Sequence, residues 1–198
     1  TASVGGDITQ GLPRVEEVFE RRSPKNPAII SHVDGQVIEI RDEDKEKIIV
    51  VAPDLEDKKG GKGKEAIEYV VHFRRTQLVS VGSKVKKGDL LTDGSADLEE
   101  LFKFAGREKT ETYIIHEISK IYELQGSSIS RKHIEVIIRQ MFRRRKVKVS
   151  GDTKFSVGEI VDINFFDLEN ERMRGEGKEE AKADSTIMGI QEVSLTRP

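Results

Sequence analysis

The spacing of the apolar residues changes near residue 95, and this change constrains the fold more than any other feature of the sequence. Between residues 28 and 94, the apolar residues come in short runs bounded by Gly- and Asp-containing turns, as expected for β-strands. Beyond residue 95 they recur with the period of an α-helix. The pattern therefore predicts an α+β chain: a small antiparallel, barrel-sandwich-like β module, followed by a mainly helical segment with short strands.

Four strands are predicted in the first part of the chain. They cover residues 29–33, 37–40, 48–51 and 68–73. Asp34-Gly35 separates the first two runs and is the kind of pair that favours a hairpin turn. Residues 54–64 consist largely of Gly, Lys and Asp, so we expect them to form a flexible hairpin tip.

A glycine-containing turn is predicted over residues 81–91. Gly82 and Gly88 bracket Val85, and Gly88-Asp89 precedes an apolar pair, a pattern typical of barrel-sandwich modules. The same stretch holds three lysines, Lys84, Lys86 and Lys87. They raise the alternative of a carrier domain with a lipoyl- or biotinyl-lysine. We favour a structural turn, because a carrier lysine stands at a hairpin tip beside Asp or Met, whereas these lysines surround the glycines.

Two packed helices are predicted in the second part. The apolar stripe of the first consists of Ile114, Ile115, Ile118, Ile121 and Tyr122, and that of the second consists of Ile134, Ile137, Ile138 and Met141. We expect Gly126 to cap the C-terminus of the first helix and Ser130 the N-terminus of the second. A strand at 147–149, a helix at 160–174 and an exposed loop at 175–185 complete the predicted order.

A short helix is predicted near the start of the chain. Pro13 suits its first turn, where a missing N–H is harmless. Val15, Val18 and Phe19 then lie on one face, opposite three glutamates. Residues 1–11 are rich in Gly, Ser and Thr, and we expect residues 1–10 to be mobile or held only by neighbouring chains, with order beginning near Leu12. The chain starts with Thr and ends without a terminating pattern, which favours a piece of a longer polypeptide.

The composition restricts the possible sites. The chain has 34 basic and 36 acidic residues, so its net charge of −2 does not attract nucleic acid globally, and any DNA contact must come from a local patch. The absence of cysteine excludes disulfides and thiolate-bound zinc. The acidic cluster at residues 42–44 is predicted to be a solvated loop, because no Gly sets up a calcium loop there. No apolar run approaches the ~20 residues that span a membrane.

One basic cluster stands out as a candidate nucleic-acid site. It comprises Arg139, Arg143, Arg144, Arg145 and Lys146. Clustered cations bind phosphates through counterion release and do not by themselves read base edges. Two other interpretations remain open: the cations complement the C-terminus of a helix, or they pair with acidic groups elsewhere in an assembly.

Several sequence blocks carry a resemblance to a known family. They are GDITQGLPRVEEVFERRSPK at 6–25, the GD-containing turn at 85–94, YELQG at 122–126, KHIEVIIRQM at 132–141 and GIQEVSL at 189–195. In this order they resemble the part of the bacterial RNA polymerase β′ subunit that begins just after the tip of its trigger loop. They span nearly the whole chain, and the first and fourth blocks are the most specific.

The resemblance implies a role for each part of the chain. Residues 1–24 would be the second trigger helix and a linker, 25–94 the jaw beside downstream duplex DNA, and 95–198 a segment leading toward the clamp and switch regions. The trigger-helix segment itself would be Asp7, Ile8, Thr9, Gln10, Gly11, Leu12, Pro13 and Arg14. In the family this helix belongs to a lid that closes on the incoming nucleotide.

The same resemblance implies the partners and the location of the chemistry. The partners would be the β, α and ω subunits, the sigma factor and downstream DNA, in the cytoplasm at the nucleoid. The family's Asn-Ala-Asp-Phe-Asp-Gly-Asp motif for catalytic magnesium is absent from this sequence. The magnesium and zinc of the parent subunit would therefore lie outside the chain, which has no catalytic residue of its own. The alternative is a free-standing basic adaptor that binds nucleic acid or a protein.

The missing magnesium motif leads to the first prediction. The purified 198-residue chain should not synthesise RNA on a DNA template, because two-metal catalysis of nucleotidyl transfer needs the acidic ligands that this sequence lacks. Incorporation of labelled nucleotides checks this, with an intact polymerase as the positive control. Template-dependent synthesis by the chain alone would contradict it.

Overall fold

A computed structural model describes residues 10–54 and 65–195. Their contacts divide the chain into two compact units. The first contains Ser23–Thr112, and the second combines Gln10–Arg22 with the part that begins at Tyr113. Two predictions fall wholly or largely outside the described residues: the mobility expected of residues 1–10, and the hairpin tip predicted at 54–64, of which only residue 54 is described. The division into 1–24, 25–94 and 95–198 refers to regions of the resembled family and stays a prediction.

The first unit is built on a four-stranded antiparallel sheet that curls into a half-barrel. Its strands are β1 (Gly35–Glu43), β2 (Glu46–Pro53), β3 (Ile67–His72) and β4 (Lys84–Val85), in the order β3-β2-β1-β4. One face covers a core of Val33, Val37, Ile49, Val51, Tyr69, Val71, Val85 and Leu91. Together with the helices of the chain, this sheet confirms the predicted α+β class.

The hairpin predicted at Asp34-Gly35 is wrong. The turn that joins β1 to β2 lies at Asp44-Lys45, where Asp44 has a φ of 51°. Gly35 instead begins β1, and a Cβ at this position would collide with the carbonyl oxygen of Ala52 on β2. The glycine is needed for close approach of two backbones. Consequently the acidic cluster at residues 42–44 lies at the exposed end of β1 and in the turn.

The predicted turn around Gly88 is confirmed. The Asp89 carboxylate accepts a hydrogen bond from the Lys86 backbone N–H at 2.9 Å. The Asp89 N–H donates in return to the Lys86 carbonyl at 2.9 Å. Gly88 has a φ of 84°, which other residues rarely adopt. The Lys87 backbone N–H donates to Asp34, so the lysines surround a structural turn as expected.

The second unit combines helices with a three-stranded antiparallel sheet. Its elements in chain order are α1 (Leu12–Phe19), the latter part of α2 (Leu98–Leu124), α3 (Arg131–Met141), β5 (Arg144–Val149), β6 (Ile160–Asp162), α4 (Ile163–Gly175), β7 (Lys182–Ser185) and α5 (Ile190–Leu195). The strand order is β6-β5-β7. No helix in the described ranges is long and apolar enough to cross a membrane.

The apolar stripes of α2 and α3 are buried as predicted. Ile114, Ile118, Ile121, Ile134, Ile138 and Met141 are all core residues. Gly126 has a φ of 73°, its N–H bonds to Glu123, and the N–H of Ser127 bonds to the Tyr122 carbonyl. This pair of bonds is a Schellman motif and confirms the glycine cap. Ser130 is the N-cap residue of α3, but its side chain makes no capping bond.

Two further predictions are corrected in this unit. Helix α3 ends at Met141, and the basic run 144–146 lies on strand β5 instead of at a helix end. The region 175–185, predicted to be a loop, ends in strand β7, whose Asp184 pairs with Lys146 of β5. β7 has the sequence KADS, which lacks apolar alternation, so it forms by backbone pairing with β5 and leaves no periodic signal.

Gly35 provides a stability test. Gly35→Ala should lower the free energy of unfolding by about 1–3 kcal/mol, because the added methyl forces β1 away from β2. Urea denaturation of the whole chain measures this. Gly175→Ala is the matched control, since a Cβ there meets nothing within 4 Å, and we expect a change within about 0.5 kcal/mol. Equal effects of the two substitutions would refute the close approach.

Candidate nucleic-acid interface

The five basic residues predicted to bind nucleic acid do not form one exposed surface. Arg139 lies on α3, while Arg144, Arg145 and Lys146 follow one another on β5, where successive side chains point to opposite faces. Arg139 and Lys146 are exposed, Arg143 and Arg145 are half-buried, and Arg144 is buried. The structure therefore separates a cluster that is continuous in sequence.

Asp162 holds two of these arginines. Its Oδ2 accepts a hydrogen bond from Arg143 Nε at 2.6 Å and lies 3.3 Å from Arg144 Nη1. Its Oδ1 accepts from the backbone N–H of Asn164 at 2.9 Å, so the same carboxylate caps the N-terminus of α4. Arg144 Nη2 also donates to the carbonyl of Val193 on α5 at 3.0 Å. One carboxylate thus links β5, β6 and α4, and reaches α5 through Arg144.

The surroundings of Asp162 decide its charge. Burial alone would raise the pKa of its carboxyl group. The hydrogen bonds from Arg143 and Asn164, together with the charges of Arg143 and Arg144, outweigh burial and lower this pKa below its ordinary value. Asp162 therefore stays ionised at neutral pH and remains paired with both arginines.

Arg145 is also held within the chain. Its Nη1 donates to the carbonyls of Phe142 and Arg144 at 3.1 and 3.2 Å. The side chains of Arg139 and Lys146, in contrast, have no hydrogen-bond or ion-pair partner within residues 10–54 and 65–195. Of the five cations, these two are both exposed and without a side-chain partner in the described ranges.

The trigger-helix segment is described from Gln10 onward, whereas Asp7, Ile8 and Thr9 lie outside the described residues. Gly11 has a φ of 68°, and its carbonyl accepts from the N–H groups of Arg14 and Val15. Leu12 and Pro13 are exposed in the first turn of α1.

Arg14 is the main anchor of α1. Its side chain is only 5% exposed, and Nη1 lies 2.8 Å from Glu17. Nη2 donates to the Tyr113 hydroxyl at 3.4 Å and lies 3.6 Å from Glu117, both on α2. Sequence analysis missed this role. The signal was a charged residue four positions before the buried Val18, which places Arg14 on the buried face of the helix.

The C-terminal end of α1 is tied to α5. Arg21 Nη2 lies 3.2 Å from both carboxylate oxygens of Glu192, and the Glu20 carboxylate accepts from the Gln191 backbone N–H at 3.0 Å. Gly189 approaches the Glu20 backbone so closely that a Cβ would lie 2.5 Å from the Glu20 carbonyl oxygen. Residues far apart in sequence therefore hold α1 at both ends.

The described residues also define what chemistry this unit offers. They contain no group of three or more His, Cys, Asp or Glu side chains placed to hold a metal ion.

A cleft of about 490 Å³ opens beside the ion pairs of Asp162 with Arg143 and Arg144. Its lining includes Gln140, Arg143, Asp162, Asn164, Phe165 and Leu168. Ion pairing and surface contact are what this arrangement supports.

Comparison with known proteins decides the family. The family model described as RNA polymerase Rpb1, domain 5, matches residues 5–196. The chain belongs to this family. It is 42% identical to the DNA-directed RNA polymerase subunit beta' of Acetivibrio thermocellus, over 96% of the chain and 16% of that subunit. It is 40% identical to the subunits beta' of Natranaerobius thermophilus and Bacillus pumilus, over 96% of the chain and 15% of each subunit.

The domain 5 assignment confirms the resemblance to the bacterial β′ subunit drawn from the sequence blocks. The chain spans about 16% of the length of the first of these curated relatives. Its match therefore concerns one region of a much longer subunit.

The Asp162 cluster leads to a stability prediction. Asp162→Asn keeps the capping oxygen of α4 but leaves the buried Arg144 without its counter-charge. We expect a loss of about 2–3 kcal/mol in the free energy of unfolding at pH 7, less than for a fully buried pair because Arg143 is 39% exposed. Asp184→Asn, at a carboxylate that is 71% exposed, should change stability by less than about 0.5 kcal/mol.

The lowered pKa of Asp162 also predicts how the free energy of unfolding depends on pH. Because the pKa of Asp162 is lowered in the folded state, its stabilisation is complete above the ordinary aspartate value near 3.8 and is lost as pH falls through the lower folded value. The stability difference between the wild-type chain and Asp162→Asn should therefore shrink as the pH falls below about 4. Urea denaturation at several pH values measures this, and a constant difference would contradict it.

Proposed function

We propose that the chain works as part of the β′ subunit of a DNA-directed RNA polymerase, where it helps to hold downstream duplex DNA and carries the base of the trigger loop. The supporting observation is the match to the Rpb1 domain 5 family over residues 5–196, together with relatives named subunit beta' at about 40% identity. A free-standing adaptor is the weaker candidate, because these relatives are long polymerase subunits.

The base of the mobile lid is α1 in this proposal. In this proposal α1 remains fixed while the lid closes on a nucleotide. This role is supported by the contacts of α1: Arg14 is tied to α2 at one end, and Arg21 is tied to Glu192 of α5 at the other. A rigid base returns the lid to the same position each time it closes on a nucleotide.

The DNA contact of the second unit uses phosphates. Arg139 and Lys146 are exposed and unpaired in the part of the chain that the structure describes, so they are the best candidates of the predicted five. Arg143, Arg144 and Arg145 are already bound by Asp162 or by backbone carbonyls. The jaw, at residues 25–94, flanks the same duplex.

The nucleotidyl-transfer chemistry belongs to other regions of the subunit. Magnesium and zinc are held there, and this chain supports the reaction by positioning DNA and the lid. The β, α and ω subunits and the sigma factor complete the enzyme, which acts in the cytoplasm at the nucleoid. The isolated chain is inactive in this proposal.

Salt dependence tests the DNA contact. In an assembled polymerase that contains this chain, Arg139→Ala with Lys146→Ala should shorten the lifetime of complexes on downstream duplex DNA, evenly across sequences. The slope of log lifetime against log salt should fall by about 1 for each lost phosphate contact.

The control pair for this test is Arg143→Ala with Arg144→Ala. Both arginines are held by Asp162, so this pair should lower the stability of the chain or the yield of assembled enzyme and leave the salt slope unchanged. An unchanged salt slope for the Arg139 and Lys146 variant would show that these residues do not contact phosphates. A reduced slope for the control pair alone would show that the phosphate contacts belong to Arg143 and Arg144 instead.

A further inference from the structure

The cleft beside Asp162 holds an arginine in a fixed position. The Nε atom of Arg143 is bound to Asp162 at 2.6 Å, and its side chain is 39% exposed. Its Nη1 and Nη2 atoms make no hydrogen bond or ion pair with any described residue. A guanidinium with a bound Nε and an open Nη edge is suited to receive a carboxylate.

The floor of the same cleft is apolar and exposed. Phe165 and Leu168 lie three positions apart on α4, so they share one face of the helix. Phe165 is 37% exposed and Leu168 is 63% exposed, although both are large apolar side chains. Lys154 extends over the Phe165 ring, with its Nζ 4.8 Å from the ring centroid. The floor thus combines apolar surface with a further cation, Lys154, beside Phe165.

We propose that this cleft binds a short segment of a partner protein in which an acidic residue adjoins a bulky apolar residue. The carboxylate pairs with the Nη edge of Arg143, and the apolar side chain covers Phe165 and Leu168. Gln140 and Asn164 line the cleft and offer side-chain amides to the backbone of the segment. The proposal goes beyond the proposed function in transcription and does not depend on it.

The charges around the cleft favour a single carboxylate over nucleic acid. Arg143 and Arg144 both line the cleft, and the Asp162 carboxylate that pairs with them offsets part of their charge. Asp167 and Glu171 are exposed on either side of Leu168 in the sequence of α4. Such neighbours repel the closely spaced phosphates of a duplex, and phosphates gain nothing from an apolar floor. A segment with one carboxylate next to an apolar side chain can pair with Arg143 and also cover Phe165 and Leu168.

Two blocked peptides test the proposal on the full chain. The probe is acetyl-Leu-Glu-Leu-amide, and the matched peptide is acetyl-Leu-Gln-Leu-amide. Titration into the ¹⁵N-labelled chain should shift the amide resonances of residues 162–168, with a dissociation constant on the order of 1 mM for the Glu peptide. The Gln peptide should bind at least about 5-fold more weakly, because it cannot pair with the guanidinium.

Three variants test the contributions of Arg143 and of the apolar floor separately. Arg143→Gln should lower the affinity for the Glu peptide by about 5-fold or more and leave that for the Gln peptide unchanged. Leu168→Ser, at an exposed position that does not threaten folding, should weaken both peptides. Arg131→Gln is the control, because Arg131 lies on α3 outside the cleft and is 73% exposed, and it should change neither affinity.

Several results would overturn the proposal. They are equal affinity for the two peptides, full affinity in Arg143→Gln or in Leu168→Ser, and no shift at about 10 mM Glu peptide. A short DNA duplex that shifts the same amides more strongly than the peptide would assign the cleft to nucleic acid. The salt slope of the assembled polymerase is a separate measurement, so failure here and failure of the proposed DNA contact are distinguishable.

Discussion

The ion pairs of Asp162 are the interaction on which most of the second unit depends. A carboxylate that is largely buried must be compensated by charge and hydrogen bonds, and Asp162 obtains both from Arg143, Arg144 and the first turn of α4. Arg143 directly precedes β5, Arg144 lies on β5, Asn164 lies on α4 and Asp162 itself ends β6, so satisfying one charge also sets the positions of β5, β6 and α4. The open Nη edge of Arg143 and the cleft beside it are consequences of this arrangement.

Arg14 solves a similar problem elsewhere in the same unit. Its guanidinium lies among Glu17, Tyr113 and Glu117, and this surrounding network makes its burial tolerable. The contacts hold a helix of only eight residues, which would be marginal in water by itself. In the proposed function, the same contacts give the trigger loop a fixed base. In that proposal, stability and function draw on the same buried charge.

The sequence predicted well where local chemistry is sufficient. The glycine cap at Gly126 and the turn at Gly88 follow from backbone conformations that few other residues adopt. The stripe from Ile114 to Ile121 follows from helical spacing. The errors arose where a distant strand decided the outcome. Gly35 is required by the closeness of Ala52, and β7 exists because β5 provides backbone partners for a segment with no apolar pattern.

The sequence by itself determined the α+β class, the order of most elements and the resemblance to the bacterial β′ subunit, because periodicity and motif blocks are local and survive without a structure. Only the tertiary structure decided which of the clustered cations are available. Asp162 lies 19 positions from Arg143, and no local pattern connects them. Asp162 pairs with Arg143 and Arg144, backbone carbonyls hold Arg145, and the side chains of Arg139 and Lys146 stay exposed. A charge is paired by whatever folding brings beside it.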